Sequence, residues 1–106
     1  MNNKQNASDS ISRSLARTAE WRKTLQSRFP TDPRNGRAAE KLRQFAGEAE
    51  GLTDDEWAEL KPFYSWTSER WSNAVSEASR RVEFQRTIRS FPAFVEDLTH
   101  ILTAAN

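Results

Sequence analysis

Ser90-Phe91-Pro92-Ala93-Phe94-Val95-Glu96-Asp97-Leu98-Thr99-His100-Ile101-Leu102 carries the strongest periodic signal in the chain. Phe91, Phe94, Val95, Leu98, Ile101 and Leu102 recur at helical spacing and share one face. Asp97 and His100 fall on the opposite, wet side. Ser90 is suited to cap the helix, and Pro92 sits in the first turn, where no amide hydrogen bond is needed. A helix with so broad an apolar face must bury it against other helices, and the preceding residues supply them.

Upstream, Trp57, Leu60, Tyr64, Trp71, Val75, Ala78 and Val82 fall on one face of a helical register that Pro62 interrupts. A proline inside a helix removes one hydrogen bond and crowds the preceding turn. The favoured reading is a short helix over 54–61, a bend, and a long helix from Pro62 or Thr67 to Arg89. One long kinked helix is the alternative. Thr53-Asp54-Asp55-Glu56 reads as a capping box, with acids where the helix dipole favours them. A second helix is expected from Pro33 to Glu50, capped by Asp32, with Ala38, Leu42, Phe45 and Ala49 inward and Gly51 as its C-terminal cap. The first helix should run from Ser10 to Arg28, with Ile11, Leu15, Leu25 and Phe29 inward and Trp21 on the flank. Arg22 points into that apolar stripe. It must either meet a carboxylate, which the acidic segment could supply, or snorkel out at the edge of the bundle.

No stretch alternates with period two over strand length. The expected fold is therefore all-α: an antiparallel bundle of four or five helices, formed by residues 9–106 as one domain, after a polar, disordered tail over residues 1–8. A chain of 106 residues suffices for one domain. Only 36% of it is hydrophobic, but four Trp and six Phe concentrate the burial in a few large side chains.

Composition excludes several chemistries. There is no Cys, so disulfides, thiolate metal sites and cysteine nucleophiles are ruled out. The polar opening residues do not read as a secretory signal, and no apolar run approaches the ~20 residues of a membrane span. A cytoplasmic protein is the expectation. There is one His, placed on a wet helix face, and the Asp97/His100 spacing is half of a helix-borne metal motif. The acidic run Glu48, Glu50, Asp54, Asp55, Glu56, Glu59 lacks the spacing and the central Gly of a calcium loop. The three glycines form no phosphate-binding loop. A helix-turn-helix at Gly47 and Gly51 would present carboxylates to phosphates, which repel. The chain is expected not to be an enzyme and to need neither metal nor cofactor.

Charge is segregated. Residues 1–43 hold ten Lys/Arg and four Asp/Glu, whereas residues 44–69 hold one Lys and seven Asp/Glu. The simplest account is a basic helix pair lying against an acidic one. Two functional constellations remain. Trp57, Phe63, Trp66, Arg70 and Phe84 form a candidate partner-binding patch, with Trp66 and Phe84 off the core face and Arg70 four residues after Trp66, where it could stack on the indole. Arg13, Arg17, Lys23, Arg28 and Arg37 form a candidate phosphate-binding surface. The expected function is protein–protein interaction, as a small regulator, inhibitor or accessory subunit docking a protein or a second copy of itself. Nucleic-acid binding through the Arg-rich helices is the alternative.

Overall fold

The structure, a computed structural model, describes residues 3–65, 68–84 and 90–104, of which 83 and 84 for their backbone alone. The described residues form α1 (Asn3–Arg28), α2 (Arg34–Ala49), α3 (Asp54–Leu60), a 3-10 turn (Lys61–Phe63), α4 (Glu69–Phe84) and α5 (Phe91–Ala104). The all-α bundle expected from periodicity is the fold. α1 and α2 make an antiparallel hairpin: the Ser12 hydroxyl donates to the Ala46 carbonyl at one end, and Gly36 N–H donates to the Gln26 side chain at the other. Their shared face is rich in small residues, with Ala7, Ala19, Ala38, Ala39, Ala46 and Ala49 all buried, so the two backbones approach closely.

The core sits where α5 meets α2. Phe45 packs against Phe91 (6.1 Å between ring centroids, 69° between planes) and Phe94 (6.1 Å, 53°), while Phe91 and Phe94 stack at 5.7 Å. Ile11, Leu15, Leu42, Leu60, Val75, Val82 and Leu98 complete it. The apolar face read from α5 is buried as expected, with Ile101 half-buried at its margin.

Local signals hold at most element ends. Thr53 Oγ1 accepts from Glu56 N–H at 3.1 Å, and the Glu56 carboxylate accepts from Thr53 N–H at 2.9 Å. This closes the capping box, a device worth about 1 kcal/mol. The Ser90 hydroxyl accepts from Ala93 N–H at 3.4 Å, whereas Pro33, not the expected Asp32, is the N-cap of α2, and the Asp32 carboxylate accepts from Arg34 N–H at 3.0 Å one residue earlier. Pro62 sits in the 3-10 turn, where its missing amide costs nothing, and Tyr64 then turns extended (φ −72°, ψ 132°). The chain changes direction there, so the single kinked helix is excluded.

Several expectations are corrected. α1 starts at Asn3, and Ala7 and Ser8 are buried, so residues 3–8 are helix and not a disordered tail. The helix extends because Ala7 continues the Ile11–Leu15 stripe one turn back, a contribution invisible in so polar a stretch. Leu25 is only half-buried and Phe29 is 57% exposed, because α1 outruns the bundle at its C-terminal end. No glycine has positive φ, so Gly51 makes no left-handed cap; Glu50 N–H and Gly51 N–H tighten back onto Gly47 O and Glu48 O instead. Asp97 is not on a wet face: its side chain is 15% exposed and pairs with Arg81 at 3.1 Å. Arg22 does not snorkel out at the edge of the bundle. It is 6% exposed, donates to Asn35 Oδ1 at 3.2 Å, and lies over the Trp21 ring, 4.6 Å from its centroid.

The acidic segment also lies elsewhere than expected. α3 packs against α5 and not along the basic α1–α2 pair, and Lys4 bridges the two charge blocks at Asp54 (2.9 Å).

Candidate functional site

The seam between α1 and α4 is the most distinctive surface. α4 runs parallel to α1, and hydroxyls carry much of the contact. Trp71 Nε1–H donates to Ser10 Oγ at 3.0 Å. Ser79 Oγ donates to the Val75 carbonyl at 2.8 Å, which leaves the Ser14 hydroxyl as donor in its 3.1 Å contact with Ser79. Small serines on facing helices let the seam close at its floor. Long side chains above it leave a groove.

That groove consists of two adjoining cavities of about 330 and 320 Å³ that share Arg17. Tyr64, Trp71, Asp9 and Arg13 line the first. Trp21, Thr18 and Arg80 line the second. Tyr64 is held edge-on between Trp57 (5.7 Å, 69°) and Trp71 (5.1 Å, 88°). Burial pushes its phenol pKa up, and its hydroxyl makes no hydrogen bond with the described residues. Trp21 is 50% exposed, with one ring face against the Arg22 guanidinium. On α1 the spacings of Arg13, Arg17, Trp21 and Arg28 place all four on one outward stripe. Each is exposed.

The sequence candidates divide accordingly. Trp57 and Phe63 pack against the core and are half-buried. Arg70 is exposed on α4. Trp66 lies outside the described residues, as does the side chain of Phe84. Arg13 and Arg17 enter the groove, while Lys23, Arg28 and Arg37 are exposed along the α1–α2 hairpin. Sequence reasoning missed Trp21 and Phe29 as exposed aromatics, and Arg80 as the cation across the seam. The signal for Trp21 was its flank position beside the apolar stripe. No periodicity marked Arg80, because only the parallel packing of α4 brings it there.

Among the described residues no three of His, Cys, Asp and Glu gather to hold a metal, and no helix is long and apolar enough to cross a membrane. His100 is exposed, 3.9 Å from Glu96. Two carboxylates titrate in opposite senses. Hydrogen bonds from Arg34 lower Asp32 to about 2. Burial raises Asp97, opposed by the Arg81 and His100 charges and reinforced by Glu77. By linkage, the Asp32 contribution to stability is present above the ordinary value of 3.8 and is lost as pH falls toward about 2. The Asp97 contribution has the other sign: stability declines as pH rises from 3.8 through its raised pKa. Carbon-detected NMR titration should find Asp32 near 2 and Asp97 above 3.8. An Asp97 titrating below 3.8 would mean that the Arg81 charge outweighs burial.

The fold and groove define a small helical bundle with an aromatic, arginine-lined seam. The chain matches no protein-family model, no curated protein and no solved structure.

Proposed function

We propose that this chain is a small, non-catalytic protein-interaction module that docks an acidic protein surface on the outward stripe of α1. Arg13, Arg17, Trp21 and Arg28 form the stripe, and Arg80 reaches it from α4. The observation that carries this reading is Trp21: a large indole, half-exposed, oriented by a guanidinium on one face and flanked by exposed arginines. Trp and Arg dominate the energetics of protein interfaces, and complementary charge raises the association rate. We favour this stripe over the patch read around Trp66, Arg70 and Phe84, because its aromatic and its arginines all lie among the described residues. A nucleic-acid ligand would use the same arginines, but the near-zero net charge and the acidic opposite end disfavour phosphate binding over a long track.

The test is a pull-down of the tagged chain from its native extract, with and without nuclease, alongside Trp21→Ala and Arg13→Glu/Arg17→Glu. A stoichiometric protein should survive nuclease. Trp21→Ala should weaken its affinity about 30-fold or more, the loss expected of a hot-spot aromatic. Far-UV circular dichroism of each variant should be unchanged. A nuclease-sensitive catch that ignores Trp21→Ala but is lost with the charge reversal would install the nucleic-acid reading. A protein catch indifferent to both variants would place the docking surface elsewhere.

A further inference from the structure

The two charge blocks do not cancel within one molecule, and the geometry says why. Lys4 touches Asp54, which pins the N-terminal end of α1 to the start of α3. At 1.5 Å per residue, Arg28 lies about 36 Å along α1 from that contact. The whole chain is 43 Å long. The antiparallel hairpin carries Glu48 and Glu50 back to the α3 end and leaves Arg28 and Arg37, together with the Arg34–Asp32 ion pair, at the far end. The molecule is therefore polarised, with a basic tip and an acidic base farther apart than the ~8–10 Å Debye length. Neither end can satisfy the other in the same copy.

The ends also match in shape. The basic end of α1 carries Trp21 and Phe29, 50% and 57% exposed, beside the exposed Lys23 and Arg28. The acidic end carries a groove of about 690 Å³ between α3 and α5, lined by Asp55, Glu56, Glu59 and Glu96 together with Pro92 and Val95. That volume is in the range of sites that accept large apolar groups. We propose that the occupant of this groove is the α1 tip of a second copy: Trp21 or Phe29 enters between α3 and α5, and the arginines pair with its carboxylate rim. Such a contact is head-to-tail. It uses two different surfaces of the chain, so it propagates beyond a dimer unless the rotation closes a ring. The inference rests on the docking reading of α1 and names its partner.

Sedimentation velocity of the purified full chain tests it. At low ionic strength the wild type should move from monomer to species larger than a dimer as concentration rises. In about 1 M salt, where the Debye length is ~3 Å, it should return toward monomer. Trp21→Ala, which breaks the tip, and Glu59→Lys/Glu96→Lys, which breaks the groove, should each be monomeric. Mixed together they should form a 1:1 heterodimer and nothing larger, because one intact tip meets one intact groove. Circular dichroism identifies a variant that has failed to fold, and Arg28→Glu and Asp55→Lys then stand in for the tip and groove changes. A wild type that stays monomeric throughout, or an assembly indifferent to both classes of variant, overturns the proposal. If the chain stays monomeric yet captures an acidic protein through Trp21, self-association is wrong and the docking reading stands. If it neither assembles nor captures anything through Trp21, both fall.

Discussion

Phe45→Ala should remove about 3–5 kcal/mol of stability, the range for truncating a buried aromatic. Phe45 is 1% exposed and meets both Phe91 and Phe94 at 6.1 Å, so truncating it leaves both rings without their α2 partner. With an unfolding entropy of ~2.1 cal/mol/K per residue, the melting temperature should fall by about 13–22 °C. A domain of this size has about 5–15 kcal/mol in hand, so at the lower limit the variant would keep only about 0–2 kcal/mol and be up to about half unfolded at 25 °C. Phe45→Leu keeps most of the volume and should cost far less. Thermal melts of both variants make the comparison. A shift of a few degrees for Phe45→Ala would mean that the α2–α5 contact is not the centre of the core.

Trp71→Ala should cost a similar amount, about 3–5 kcal/mol, for two separable reasons. The indole is 2% exposed and packs edge-on with Tyr64 at 5.1 Å and 88°. Its N–H also supplies a hydrogen bond that ties α4 to Ser10 of α1, at 3.0 Å. Trp71→Phe keeps most of the ring contact and removes the donor, and should cost about 1 kcal/mol, the net worth of one hydrogen bond. The gap between the two variants in chemical denaturation measures packing against bonding at the seam. Because Trp71 and Tyr64 both line the groove, Trp71→Phe should also alter the near-ultraviolet dichroism of Tyr64 with the helix content intact. Equal losses for the two variants would show that the hydrogen bond, and not the ring, holds α4 on α1.

Much of the fold was legible because each helix carries its own punctuation. The Thr53/Glu56 box and the Ser90 cap are local devices, and each is where its residues predict, whereas α2 starts one residue late, with Pro33 and not Asp32 at its N-cap. The α5 stripe was legible because six large apolar residues at one spacing leave no other face to bury. α1 was harder. Ala7 and Ser8 give almost no hydropathy signal, yet they are buried, because a close α1–α2 approach needs small residues and rewards their burial. Asp97 misled for a related reason. A carboxylate reads as wet until a cation on another helix, here Arg81, comes within 3.1 Å.

The candidate site was half legible. Arg13 and Arg17 were singled out by their wet face, and they do line the groove. Arg80 and Tyr64, which complete it, come from segments more than forty residues away along the chain. The composition, the capping residues and the helical periods by themselves determined that this chain is helical, where most helices begin and end, and that its charges are split between halves. Only the tertiary structure decided that the acidic α3 lies on α5, that α4 runs parallel to α1, and that Trp21 stands out beside arginines at a basic end. The physical reason is one of range. Caps and periodicity act within a turn or two of the chain, whereas helix pairing, and with it the exposure of any one side chain, depends on which apolar faces fit together across the whole bundle.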